Sequence, residues 1–178
     1  MKTRLGLAAA LIATVAALPV AALAANTLTV SAPATAAFAV TLNGTDQTPV
    51  VSLAVPVNYT SPSKNTQATS GWQLTATSTV FTGTNISHTL STTATTVSVA
   101  DDASCSGANC SNPSNTVTYP LTLPAGTVAP AAVAIVNAAP GSGVGSNTET
   151  VQLSVAIPAN TYADTYKSTL TFAVIEGP

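Results

Sequence analysis

Val151-Gln152-Leu153-Ser154-Val155-Ala156-Ile157 carries an apolar side chain at every second residue. A period of two puts Val151, Leu153, Val155 and Ile157 on one face of an extended strand and turns Gln152 and Ser154 to the other. Upstream, Val117, Tyr119, Leu121 and Leu123 alternate with Thr118, Pro120 and Thr122 in the same way. Pro120 has no N–H to give a ladder, so this strand is expected at a sheet edge or a bulge. Working outward, residues 27–32, 38–42, 50–57, 71–77, 88–91, 95–100, 131–136 and 166–176 read as further strands. Clusters of Gly, Pro, Asn, Asp and Ser at 43–46, 61–65, 101–114 and 140–147 separate them. No stretch in this region has helical periodicity with caps. About eight to ten short strands divided by turn signals predict an all-β fold, an antiparallel β-sandwich of Ig-like or Greek-key type.

Composition agrees with that reading. The chain has 178 residues, of which 46% are hydrophobic and only 6% charged, against roughly a quarter charged in an average domain. Its 31 threonines and 17 serines wet the surface in place of ions, and Thr, Val and Ala with little charge suit strands. Four Lys and Arg residues are too few to neutralise a nucleic-acid backbone. Charged coiled coils and disordered chains are excluded on the same grounds.

Lys2 and Arg4 precede an apolar run from Leu5 to Leu18, then Pro19 and the small-x-small pattern Ala22-Leu23-Ala24. This predicts a signal peptide over residues 1–24, cut after Ala24 or Ala25, and one exported domain over 25–178. An uncleaved anchor is the rival reading, which Pro19 and the cleavage pattern disfavour. Export fixes the expectation for Cys105 and Cys110, which Ser-Gly-Ala-Asn separates. In an oxidising compartment they read as a disulfide pinning a loop, since two thiols without further ligands do not complete a zinc site. No cofactor or metal is expected.

Two motifs carry a family resemblance. Gly71 is followed by Trp72-Gln73-Leu74, and the chain closes on Tyr166, three residues, Leu170-Thr171-Phe172, one residue, Val174, three residues and Pro178. The pair resembles the signatures of the WxL domain, a cell-surface module of Gram-positive bacteria, with Phe172 and Val174 where that family usually has Trp and Leu. The segment Ile157-Pro158-Ala159-Asn160-Thr161-Tyr162 is similar to the hairpin before that family's last strand. The resemblance implies non-covalent attachment to the cell wall through peptidoglycan, and assembly with other surface proteins. Residue by residue, a plainer account holds as well. Trp72 and Leu74 share one strand face, and so do Tyr166, Leu170, Phe172 and Val174, with Lys167, Thr169, Thr171 and Ala173 opposite. Both motifs then read as inner faces of core strands.

A surface with few charges would hold a glycan by neutral hydrogen bonds and by stacking of sugar faces on Tyr rings, and Tyr59, Tyr119 and Tyr162 are the candidates. Catalytic readings are weak. The single histidine, His88, has hydroxyl residues as near neighbours and no carboxylate to orient it. Asp101-Asp102 lacks the alternating acids of a calcium loop. Gly141-Ser142-Gly143-Val144-Gly145 lacks the Lys-Ser/Thr and the helix of a phosphate loop, and reads as a flexible turn. Leu123-Pro124-Ala125-Gly126-Thr127 is a sortase-like signal with its last two residues exchanged, and it is internal. The expectation is therefore a non-catalytic, secreted, cell-wall-associated protein that binds no nucleic acid and has no transmembrane span after cleavage. The alternative is a pilin-like or surface-layer-like structural subunit that assembles through strand edges.

Overall fold

The computed structural model describes residues 26–31, 37–38, 40–60, 70–100, 104–107 and 110–177. The expected signal peptide, Asp101-Asp102 and Pro178 lie outside the described residues. The described chain is all-β. Its strands are β1 (Thr27–Val30), β2 (Val50–Thr60), β3 (Trp72–Thr79), β4 (Thr82–Gly83), β5 (Thr95–Ala100), β6 (Ser104–Ser106), β7 (Leu121–Thr122), β8 (Ala125–Gly126), β9 (Val133–Ala138), β10 (Gly145–Val155), β11 (Tyr166–Lys167) and β12 (Leu170–Glu176).

The long pair β2 and β10 forms the backbone of the larger sheet, which runs in the order β1-β2-β10-β5-β7 with β6 also on β10. Their antiparallel register aligns Leu53 with Val151 and Val51 with Leu153, and it resumes beyond the strand ends at the Gln47–Ile157 bridge. β2 alternates cleanly: Leu53, Val55, Val57 and Tyr59 are buried and the residues between them are exposed. β10 begins six residues before the apolar alternation, inside the stretch read as a turn, and carries buried Asn147 and Glu149 on its inner face. Pro120 directly precedes β7, which lies at the edge of the sheet, where its missing N–H costs no ladder bond.

The smaller sheet has β3 at its centre, with β12 antiparallel on one side and β9 antiparallel and β8 parallel on the other. The β4–β11 pair continues the β3–β12 ribbon past an irregularity at Ser168 and Thr169, where both Ser168 Oγ and Thr169 N bond to Thr79. Side chains from both sheets meet in one apolar cluster that includes Val55, Tyr59, Trp72, Leu74, Val97 and Ile135. A second, smaller cluster gathers Leu90, Ala94 and Val155, with Phe81 and Tyr166 packed against it.

Two expected strands do not form, and the one expected over residues 117–123 shrinks to Leu121–Thr122. Phe38 and Val40–Leu42 belong to no ladder, and of residues 88–91 only Thr89 makes a bridge, to Thr82. Cys105 and Cys110 are joined, with their Cα atoms 5.9 Å apart, and β6, which bears Cys105, pairs antiparallel with the start of β10, Cys105 opposite Asn147.

Candidate functional site

The two motifs lie side by side. Leu74 stands directly opposite Val174, Ala76 opposite Phe172, and Ser78 opposite Leu170. Trp72 and Leu74 have no exposed surface, whereas Leu170, Phe172 and Val174 are half-buried and Thr171 is exposed. The indole Nε1–H of Trp72 donates to Gly143 O at 3.0 Å, and Asn147 Nδ2 donates to the same oxygen at 2.9 Å. Gly143 sits at φ +70°, and a Cβ there would collide with the indole ring. The glycine-rich stretch is thus a close-fitting cap over Trp72 and not a loose turn. The positive φ and the missing side chain are both required there.

The three candidate tyrosines go to different places. Tyr59 is fully buried, so its ring is closed to a sugar face and it leaves the list of contacts. Its hydroxyl lies 2.9 Å from Glu176 Oε1 and 3.1 Å from Ser70 O. Burial, opposed by the Ser70 hydroxyl and reinforced by Glu176, pushes the phenol up. Glu176 Oε1 also accepts from Asn26 Nδ2 and Ser70 Oγ, at 2.7 and 2.9 Å, and these donors, Asn26 first, hold its carboxyl below the usual range. This knot ties the start of β1, the end of β2 and the end of β12 together. Tyr119 is half-buried. Its hydroxyl accepts from Asn115 Nδ2 at 2.8 Å and faces the carbonyls of Ala100 and Ile135, so it anchors its own loop.

Tyr162 alone of the three is open, at 58% exposure. Its ring lies flat on the imidazole of His88, with centroids 4.0 Å apart and planes within 2°. The stack holds Tyr162 as a fixed shelf. Beside it is a hollow of about 200 Å³ bordered by Thr89, Ser91, Pro158, Asn160 and Thr161. These hydroxyls and the amide supply neutral donors and acceptors around an aromatic face.

A carboxylate organises the shelf from below. Asp164 accepts from the backbone N–H of Ile86 at 2.9 Å, of Asn85 at 3.0 Å and of Thr165 at 2.7 Å, and from Asn85 Nδ2 at 2.7 Å. The Ile86 N–H first, then the other donors, hold its carboxyl far below the usual range. The clamp shapes residues 84–86, and from there His88 is set by its N–H donating to Ile86 O and its carbonyl accepting from Gly83 N. A Cβ on Gly83 would strike Ile86 O. Tyr166 closes the hollow, its hydroxyl donating to Tyr162 O at 3.2 Å. Burial, then the Asp164 charge, pushes its phenol up.

With its lone pairs occupied by donors, Asp164 is not placed to act as a general base. Among the described residues no group of three His, Cys, Asp or Glu side chains is placed to hold a metal, and no helix is long and apolar enough to cross a membrane. Sequence reasoning finds no role for His88, which the fold stacks on Tyr162. Its stacking on a ring 74 positions away leaves no local signal. Comparison with protein-family models, curated proteins and solved structures returns no match.

Proposed function

We propose that this chain is an exported, non-catalytic, single-domain β-sandwich of Greek-key type that attaches non-covalently to cell-wall glycan, with peptidoglycan as its ligand. The observation that carries the reading is the fixed, open Tyr162 ring on His88, next to a hollow bordered by hydroxyl and amide groups. A sugar presents an apolar C–H face to such a ring and hydroxyls to the rim. Each neutral hydrogen bond contributes about 1 kcal/mol net, so one site is weak and retention on a wall comes from many copies. The resemblance of Trp72-Gln73-Leu74 and the closing Tyr166–Pro178 segment to WxL signatures supports the same role, as does a disulfide, which suits an oxidising compartment.

The test is co-sedimentation of the chain over 25–178 with purified sacculi. Tyr162→Ala should lose most of the bound fraction while keeping its thermal midpoint. Retention by Tyr162→Ala together with loss in a Lys167, Thr169 and Thr171 triple alanine variant would move the contact to the outer face of the β11–β12 segment. A wild-type chain left in the supernatant would defeat glycan binding altogether. A second reading, a surface subunit that assembles through strand edges, is favoured by one observation: β12 has ladder bonds to β3 alone, and β1 lies beside its other edge without pairing to it.

A further inference from the structure

Asn43-Gly44-Thr45 is an exposed turn ahead of β2, and its first two residues are the only Asn-Gly pair in the chain. A glycine after asparagine has no Cβ to shield its amide nitrogen. Gly44 stands at φ +76° with open space around it, a conformation that glycine adopts at no steric cost. Among the described residues no hydrogen bond engages the Gly44 N–H. The nitrogen is open to react with the neighbouring side-chain carbonyl of Asn43.

That carbonyl is already polarised. Asn43 Oδ1 accepts from the Thr45 backbone N–H at 3.0 Å and from the Thr45 Oγ1–H at 2.7 Å. When a nucleophile adds to Cγ, negative charge gathers on this oxygen, and donors about 2.7–3.1 Å away stabilise the transition state. The turn is also held in place. Gln47 and Ile157 exchange backbone bonds at 2.9 and 2.8 Å, Asp46 Oδ1 accepts from Ala159 N at 2.8 Å, and Gln47 Nε2 donates to Thr41 O at 2.9 Å. Donors fixed in advance act without reorganisation at the moment of reaction.

Other asparagines lack this arrangement. Asp164 takes both Asn85 Nδ2 and the Ile86 N–H. The N–H after Asn115 donates to Asn137 O, and the one after Asn160 donates to Pro158 O. Asn58 lies inside the ladders of β2.

We infer that the Asn43-Gly44 turn is a self-modifying site whose substrate is its own side-chain amide, with Thr45 supplying the oxyanion donors. Gly44 N gives its proton to water and bonds to Asn43 Cγ. The bond from Cγ to Nδ2 breaks, and Nδ2 takes a proton from water and leaves as ammonia, closing a succinimide ring. Water then adds to one of the two ring carbonyls. Breaking the bond from Gly44 N to Cγ gives aspartate, and breaking the bond from Gly44 N to the main-chain carbonyl carbon gives isoaspartate. One water is consumed, one ammonia is released and nothing is oxidised or reduced. The product adds a carboxylate to a chain with few charges.

The test incubates the purified protein in heavy-oxygen water at mildly alkaline pH and follows each asparagine by peptide mass mapping. The Asn43 peptide should gain one heavy oxygen and divide into aspartate and isoaspartate forms, ahead of every other asparagine, while circular dichroism shows the protein folded. Thr45→Val should slow the reaction about fivefold, the effect of one neutral hydrogen bond, and Thr45→Ser should restore the rate. Both variants are on an exposed side chain, and unchanged thermal midpoints would confirm that each keeps the fold. An Asn43 that stays intact, or that reacts only in urea, would overturn the site. A Thr45→Val chain that reacts at the wild-type rate would overturn the assistance by the Thr45 hydroxyl.

Discussion

Trp72 shows how one side chain fixes its surroundings. The indole fills the core and requires a partner for its N–H, because a buried donor left unmade costs about 1–3 kcal/mol. Gly143 O is that partner, and the close approach excludes any side chain at 143. Gly143→Ala should therefore destabilise the chain by about 1–3 kcal/mol from backbone strain, with the displaced indole adding to it. Trp72→Ala should cost about 3–5 kcal/mol. Urea midpoints followed by circular dichroism check both, and an unchanged midpoint for Gly143→Ala would contradict the close fit. Asp164 acts on a different group of residues. Its carboxyl is held low by the N–H groups it accepts, so its contribution is complete above the unfolded value of about 3.9 and is lost as pH falls toward the folded value. The stability gap between wild type and Asp164→Asn should stay constant from neutral pH down to about 4 and narrow only below it. A gap that closed near neutrality would point to another group.

At the scale of elements, what the sequence revealed depended on which side chains face inward. β2 was legible because Leu53, Val55, Val57 and Tyr59 alternate with small or polar residues. The front half of β10 was not, because its inner positions are Asn147 and Glu149 and its first residue is a glycine, so polarity hid the period. β12 was legible from its closing pattern, whereas the short β4, β6 and β8 carry too few residues to show any period, and of the alternation over residues 117–123 only Leu121–Thr122 forms a ladder. Phe38 and Val40 to Leu42 had the pattern of a strand but form no ladder, since alternation selects a buried face without supplying a partner in register. Of the site, Tyr162 was legible as an aromatic in a loop, but its stack on His88 depends on a tertiary contact. The joined cysteines were legible from their spacing and the expected export. Their bond holds the loop against β10, and by the loop-entropy model a Cys105→Ser, Cys110→Ser variant should lose about 2 kcal/mol. Melting of the wild type with and without reductant should reproduce that difference, and equal midpoints would remove the loop from the stability account.

Across the whole molecule, the scarcity of charge sets how the surface interacts with anything. Lys167 is the sole lysine or arginine among the described residues, so steering by long-range fields and ion-pair adhesion contribute little. A wall contact built on the Tyr162 shelf works through ring stacking and neutral hydrogen bonds, which ions do not screen. Sacculus binding should therefore persist in about 1 M sodium chloride, where the Debye length falls to about 3 Å. On the proposed glycan binding, repeated contacts along a polymer would supply the retention that one hollow of this size cannot, so fragments of one or two sugars should compete poorly at concentrations where intact glycan chains compete well. Co-sedimentation across a salt series, with short and long glycan competitors, measures both effects. Steep loss of binding with salt would shift the contact to Lys64 and Lys167, away from the aromatic shelf. Equal competition by short and long fragments would mean that a single tight site, and not repetition, holds the protein to the wall.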